Sequence, residues 1–383
     1  MPLHSRTRRR GGLRSLLAAA GLAALLSAPA AAAPALPESF ECKAGGRTTT
    51  HAQARFDAGA VTLAYAEGPD NGPPLVLIPG MSLRWQTYIP VAQRLCDRFR
   101  VFMLDMRGHG ASDRAPDGSY RVQDFGGDVA AFLRGRVGEP AVVSGHSLGG
   151  LIALWVAANE PALVAGLNAE DAPFLMSEAP RWHGHWIKPA FVELEQRLRT
   201  YKASGNSAAA AVASFAGHGI GLPRRDVPFE QRIRALGKVL ETRPPLDLSD
   251  EERRRLHQGY RTYLEGGTPR NGDFLPRALM ERVVESQLHL DPEIPAHAVS
   301  ARLNEGFDHL DAFRRVRAPT LYWQADQDLV GHLGRDDIAM LVGVLQQNVR
   351  VRHVYMPGVG HQIHRDAADR FAAEIAAFFL KAD

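Results

Sequence analysis

The chain has 383 residues, with 45 Lys+Arg against 42 Asp+Glu, 45% hydrophobic and 23% charged side chains, and two cysteines. That balance excludes a disordered chain, a collagen-like repeat, a disulfide-dense miniature scaffold and a multi-span membrane protein, and it guarantees a sizeable buried core. The formal net charge of +3 would hint at an acidic partner, but it is unevenly placed along the chain.

Residues 1–33 carry Arg6, Arg8, Arg9, Arg10 and Arg14 and no acid. Setting those five aside leaves 40 basic against 42 acidic side chains, a net near −2 with no basic stripe, so no nucleic-acid partner is expected. The basic cluster precedes an apolar run, Leu13 to Leu26, and a small-residue stretch with A-x-A sites around Ala28 to Ala35. That order predicts a secretory signal peptide over 1–33, too short for a comfortable spanning helix, and hence a periplasmic or secreted mature chain with no stable membrane span. A retained anchor or a transit peptide is the competing reading. An oxidising compartment would permit the one disulfide the chain can make, Cys42 to Cys96; spacing alone leaves a bridge and two separate buried thiols both open.

From about residue 55 short apolar runs alternate with helical patterns, which predicts an α/β architecture with a largely parallel sheet. In chain order, Leu75-Val76-Leu77-Ile78 reads as a buried strand, Ile89 to Leu95 as a helix and Arg100 to Leu104 as a strand. Val122 to Leu133 follows as a helix, Ala141 to Ser144 as a strand, Leu148 to Ala158 as a helix and Leu163 to Leu167 as a strand. After Pro173 the rhythm stops, and amphipathic segments such as Ala190 to Leu198 and Arg277 to Leu288 take over. It resumes at Pro319 with a Thr320 to Trp323 strand, an Ile338 to Leu345 helix, a Val349 to Tyr355 strand and an Asp366 to Leu380 helix. The expected organisation is one core, 34–173 and 316–383, interrupted by a helical insertion over 174–315.

Gly145-His146-Ser147-Leu148-Gly149 fits G-x-S-x-G between an apolar strand and an apolar helix. A Ser on so sharp a strand-to-helix turn is pushed out above the sheet, and side chains at the flanking glycines would collide. His361, in Gly358-Val359-Gly360-His361, falls just after the last strand, where a loop at the sheet edge would bring a general base to the nucleophile. Asp328 follows the strand that begins after Pro319. The order Ser, Asp, His differs from the orders of chymotrypsin-like and subtilisin-like enzymes.

With Asp105-Met106-Arg107-Gly108-His109-Gly110-Ala111-Ser112, a D-x-R-G-x-G-x-S turn, these motifs resemble the α/β-hydrolase fold superfamily, in its group of capped serine esterase-like hydrolases. The resemblance covers about Val61 to Leu380 apart from the insertion. It implies a mostly parallel central sheet flanked by helices, a mainly helical cap, and a serine hydrolase with no cofactor and no metal. In that reading Ser147 attacks an acyl carbonyl, His361 carries the proton, and an acid orients the imidazole. Relatives place the acid nine positions after the Pro that precedes the strand, which gives Asp328. Asp326 stays open, because Ala325 stands where a Gly is usual and Leu329-Val330 follows one residue early. Glu170 and Asp171, after the preceding strand, occupy a position that some relatives use instead.

The resemblance also implies an oxyanion hole formed by the backbone N–H groups of Leu148 and Met81. Asp105, Arg107 and His109 read as residues that hold their own turn. Arg84 and Trp85 are pocket candidates. Trp182-His183-Gly184-His185-Trp186 reads as cap packing or pocket lining, since two His at i,i+2 without carboxylates make a poor zinc pattern. The expected substrate is a small acyl compound: a carboxylic ester, lactone or thioester. Acyl transfer, perhydrolysis and C–C hydrolysis with the same triad, and a non-catalytic binding module, are the alternatives; the oligomeric state is open.

Overall fold

The structure, a computed structural model, describes residues 37–218 apart from 180 and 186, scattered positions over 249–267, and 269–380 apart from 328–330. The expected signal peptide, Trp186 and Asp328 therefore lie outside the described residues. Among the described residues no helix is long and apolar enough to cross a membrane.

Nine strands form one sheet in the order β1-β2-β3-β5-β4-β6-β7-β8-β9. Strands β1 (Ser39–Ala44), β2 (Arg47–Asp57) and β3 (Thr62–Glu67) are antiparallel neighbours. The β1–β2 connection is the two-residue turn Gly45-Gly46, both at positive φ, which lets the turn twist match that of the strands. The remaining strands, β4 (Pro74–Ile78), β5 (Arg100–Leu104), β6 (Ala141–His146), β7 (Val164–Glu170), β8 (Thr320–Ala325) and β9 (Val351–Met356), pair with one another in parallel, and β5 joins β3 antiparallel. Strands β4, β6 and β8 are buried throughout, as parallel strands covered on both faces must be.

Alternate side chains of these strands feed two cores. Leu75, Leu77, Val101, Met103 and Trp323 pack with α1 (Ile89–Leu95) and the C-terminal helix Ala368–Phe379 on one face. On the other, Val76, Ile78, Phe102, Val143 and Tyr322 pack with α2 (Val122–Phe132) and α3 (Leu148–Asn159). Cys42 on β1 and Cys96 at the end of α1 are bonded to each other, with Cα atoms 6.0 Å apart. Closing a loop of 54 residues in sequence removes unfolded-chain entropy equivalent to about 4 kcal/mol in the chain-entropy model.

Between β7 and β8 the described chain is helical: α4 (Lys188–Ala203), α5 (Ala208–Gly217), α6 (Arg277–Leu288), α7 (Glu293–Val299) and α8 (His309–Arg315). Helix α7 packs on α4 and α6 on α5, whereas α8 lies against α3 of the core. Polar links tie this stretch to the core, among them those of Glu285 and Asp291. Arg84 pairs with Glu285 of α6 at 3.0 Å. Tyr120 Oη donates to Asp291 Oδ2 at 3.0 Å, and the Asp291 N–H donates to the Gly108 carbonyl at 2.8 Å.

Strand order reverses at β4: β5 lies on one side of it and β6 on the other. The chain leaving β4 and the chain leaving β6 therefore diverge at the carboxyl edge, which opens a crevice where open α/β sheets bind ligands.

Candidate active site

Ser147 stands in that crevice, between β6 and α3, at φ 53° and ψ −118°. A non-glycine residue at positive φ is strained, and here the strain is held by neighbours on both sides. The Ser147 N–H donates to the Glu170 carbonyl at the end of β7, at 3.0 Å, and the Ser147 carbonyl accepts from Gly150 N at 2.9 Å. The flanking glycines have no room for side chains. A Cβ on Gly145 would stand 2.0 Å from the Gly149 carbonyl oxygen, and one on Gly149 would stand 2.2 Å from that of Ile78.

Gly80, after β4, is pressed against the same turn: a Cβ there would meet His146 Nδ1 at 2.7 Å and Ser147 Cβ at 3.0 Å. Met81, Ser147 and Leu148 line one cavity of about 40 Å³ together with Leu151, Met176, Trp182, Ile187, Phe191, Ala298, Leu303 and His332. That is room for about three water molecules. The walls are mostly apolar, with Ser177 and Asn304 among them, and come from both the core and the stretch after β7.

His361 follows β9 on the loop that begins at Pro357. Its Nδ1 is 2.7 Å from Asp171 Oδ2, and Asp171 is fully buried immediately after β7 at φ 40°. The Asp171 carboxylate also accepts backbone N–H groups from Ala325 at 3.2 Å and His332 at 3.2 Å. The main chain at His361 is held as well, because His146 Nε2 donates to the His361 carbonyl at 2.9 Å. Burial, and after it the nearby His361 and His364, holds the His146 imidazole well below the ordinary histidine range.

Of the carboxylates expected from the sequence, the structure brings one of the alternatives, Asp171, to His361. The Nδ1 position that an orienting carboxylate must occupy is taken by Asp171, while Asp328 lies outside the described residues. Asp326 is turned elsewhere, with Oδ2 accepting from Gly358 N at 2.8 Å. Glu170 is committed to His364: it accepts the His364 backbone N–H at 2.8 Å and its ring Nδ1 at 2.9 Å, with both side chains fully buried. The His364 ring reaches Thr87 Oγ1 through Nε2 at 2.9 Å.

The D-x-R-G-x-G-x-S turn is an internal scaffold. Asp105 accepts the backbone N–H groups of Trp85 at 2.7 Å and Ala111 at 2.9 Å, and burial lifts its carboxyl to about 6. Arg107 makes a bidentate pair with Asp128 at 2.6 and 2.7 Å, almost wholly buried. His109 Nδ1 donates to the Arg107 carbonyl at 3.0 Å. In the W-H-G-H-W segment, Trp182 lines the cavity and stacks on His185, centroids 6.1 Å apart.

Buried histidines give the fold an acid limit. Burial pushes His109 down to about 4 and His309 to about 3, with His146 also depressed. The unfolded chain takes up these protons near pH 6.5 and the folded chain only at lower pH. Their contribution to stability is therefore whole above pH 6.5 and lost as the pH falls toward 4, at about 1.4 kcal/mol per pH unit for each histidine. Urea melts should show a midpoint that drops steeply from pH 7.5 to pH 5; a midpoint that holds steady across that interval rejects neutral burial of these rings.

The family model described as the alpha/beta hydrolase fold matches residues 73–364. The 2-(acetamidomethylene)succinate hydrolase of Mesorhizobium japonicum is 35% identical over 126 residues, 33% of this chain and 45% of that protein. The pimeloyl-[acyl-carrier protein] methyl ester esterase of Stenotrophomonas maltophilia is 38% identical over 123 residues, 32% of this chain and 44% of that protein. The chain thus spans less than half the length of these curated relatives. Among solved structures, the enol-lactonase of Burkholderia xenovorans aligns over 86% of this chain and all of its own, at TM-score 0.54 and 17% identity. A membrane phospholipase A aligns over 96% of this chain and 97% of its own, at TM-score 0.55 and 20% identity. These two likenesses concern the fold. By the extent of the family match and by its own architecture, the chain belongs to the alpha/beta hydrolase family.

Proposed function

We propose that the protein is an exported serine hydrolase that cleaves carboxylic esters of short acyl groups through an acyl-enzyme on Ser147. The observations that carry this reading are the His361–Asp171 pair at 2.7 Å and a serine on a strained elbow that lines the cavity.

His361 Nε2 takes the proton of Ser147 Oγ as the oxygen attacks the ester carbonyl. The resulting imidazolium is stabilised by Asp171 across Nδ1. Backbone N–H groups of Met81 and Leu148 hold the oxyanion of the tetrahedral intermediate, a role that needs donors preset toward the developing charge. Collapse breaks the ester C–O bond, and the alcohol leaves with the proton from His361. Water then attacks the acyl-serine by the same relay and releases the acid. The small apolar cavity favours a short acyl chain. An ester substrate agrees with the name of the methyl ester esterase relative, and hydrolysis agrees with the names of both curated relatives.

Export is supported by the order of basic, apolar and small residues over 1–33 and by the Cys42–Cys96 bridge, which requires oxidising surroundings to persist.

One experiment tests both halves. Protein expressed with its leader is treated with a fluorophosphonate and analysed by mass spectrometry. The adduct is expected on the peptide carrying Ser147, in a chain whose first residue falls near Ala31 to Leu36. Folded protein that takes no label sinks the serine-hydrolase reading, and a chain still starting at Met1 sinks export.

A further inference from the structure

His332 has no place in the mechanism above, yet it contacts both Asp171 and His361 and lines the same cavity as Ser147. It follows β8, its backbone N–H donates to the Asp171 carboxylate, and its ring packs on that of His361 with centroids 3.9 Å apart. The same side chain lines the cavity with Ser147.

The tautomer of this ring follows from its partner. Nδ1 is 3.1 Å from the Asp171 carbonyl oxygen, which only accepts, so Nδ1 carries the hydrogen. Burial, and after it the neighbouring His361, pushes the imidazole down to about 3, so the ring is neutral. A neutral imidazole with its hydrogen on Nδ1 has a bare lone pair on Nε2. The other polar side chains around the cavity are committed or of the opposite kind. Ser177 Oγ donates to the Pro173 carbonyl at 2.6 Å, Asn304 Nδ2 donates to the Ser177 carbonyl at 2.9 Å, and Asn304 Oδ1 is 3.3 Å from His309 Nε2. Trp182 contributes only a donor.

The side of the reaction that this lone pair serves follows from His361. Its Nδ1 faces Asp171, so its Nε2 is the atom that hands a proton to the leaving oxygen. His332 lies against His361 and lines the cavity, so a substituent on the leaving alcohol can meet it.

Resting on the ester-hydrolase reading, we propose that His332 determines specificity: it offers a hydrogen-bond acceptor to the leaving group and so selects monoesters of 1,2-diols, whose free hydroxyl donates to it. The hydroxyl donates a hydrogen bond and transfers nothing. The ester C–O bond breaks as before, and the diol departs with the proton delivered by His361.

The test uses a matched pair, the 2-hydroxyethyl and 2-methoxyethyl esters of one short acid, which differ in the donor. Wild-type protein is expected to favour the hydroxyethyl ester in kcat/KM by about five- to tenfold, the worth of one hydrogen bond. His332→Phe should bring that ratio to about one, and His332→Gln, which keeps an acceptor, should restore part of it. Each ester is also scored by how far it slows fluorophosphonate labelling, a readout that needs no turnover. Thermal melts and labelling of both variants confirm an intact site. A wild-type ratio near one in both readouts, or a ratio that survives His332→Phe in labelled, folded protein, overturns the assignment to His332 alone. Absence of labelling in wild-type protein overturns the hydrolase reading beneath it.

Discussion

Ser147→Ala is expected to reduce kcat for short acyl esters by about 10⁶-fold, the order found when a triad serine is removed from an enzyme of this mechanism. In the proposed mechanism the loss is so large because the serine, the imidazole and the carboxylate act as one unit: without Oγ there is no acyl-enzyme for His361 and Asp171 to serve. Residual turnover on the order of 10³ above water is expected from the backbone donors and from binding. Ser147 sits at positive φ, and alanine at that position keeps the same backbone demand, so the melting temperature should move little. Turnover within tenfold of wild type in folded Ser147→Ala protein rejects the mechanism.

Asp171→Asn is the second large effect, with an expected loss of about 10⁴-fold in kcat. The amide keeps the shape of the side chain and can still accept a backbone N–H from Ala325 or His332. Toward His361 it can present an N–H2 group in place of an acceptor, which favours the tautomer with hydrogen on Nε2 and leaves Ser147 without a base. Fold and cavity survive while the proton route is lost. Asp326→Asn and Asp328→Asn are the comparisons, each expected to lose less than tenfold; Asp326 faces the Gly358 N–H and contributes to loop shape. A loss concentrated in Asp328→Asn, with Asp171→Asn nearly intact, would return the role to Asp328.

The contest between these carboxylates marks where the sequence stops being legible. Apolar runs announced β4, β5, β6 and β8, because strands covered on both faces are nearly continuously apolar. The G-x-S-x-G pattern located the elbow, since the geometry that exposes Ser147 excludes side chains at its neighbours. Strand β2 gave no such signal: nearly all of its residues are partly or fully exposed, and neither an apolar run nor a clean alternation marks it. The acid was ambiguous for a spatial reason. Strands β7 and β8 are adjacent and parallel, so the residues following each of them arrive at the same edge, beneath His361. Spacing along the chain cannot rank two loops that converge in space. The available signal was local: Glu170-Asp171 places two acids directly at the end of a buried strand, where an unpartnered charge is too costly to keep. His332 belongs to no motif, and only its contacts with Asp171 and His361 single it out.

The crowding around the elbow bears on how this active site can change over generations. Gly80, Gly145 and Gly149 each press on backbone or on the reacting residues so closely that adding a single methyl group would displace the turn. That side of the cavity is closed to gradual substitution. New substrates must be accommodated from the opposite wall, where Trp182, Ile187 and Phe191 meet the cavity with side chains that can be exchanged for smaller or larger ones without moving the chain beneath Ser147. A lineage, or an engineer, seeking a different acyl group has one wall to rebuild and another that must be inherited unchanged.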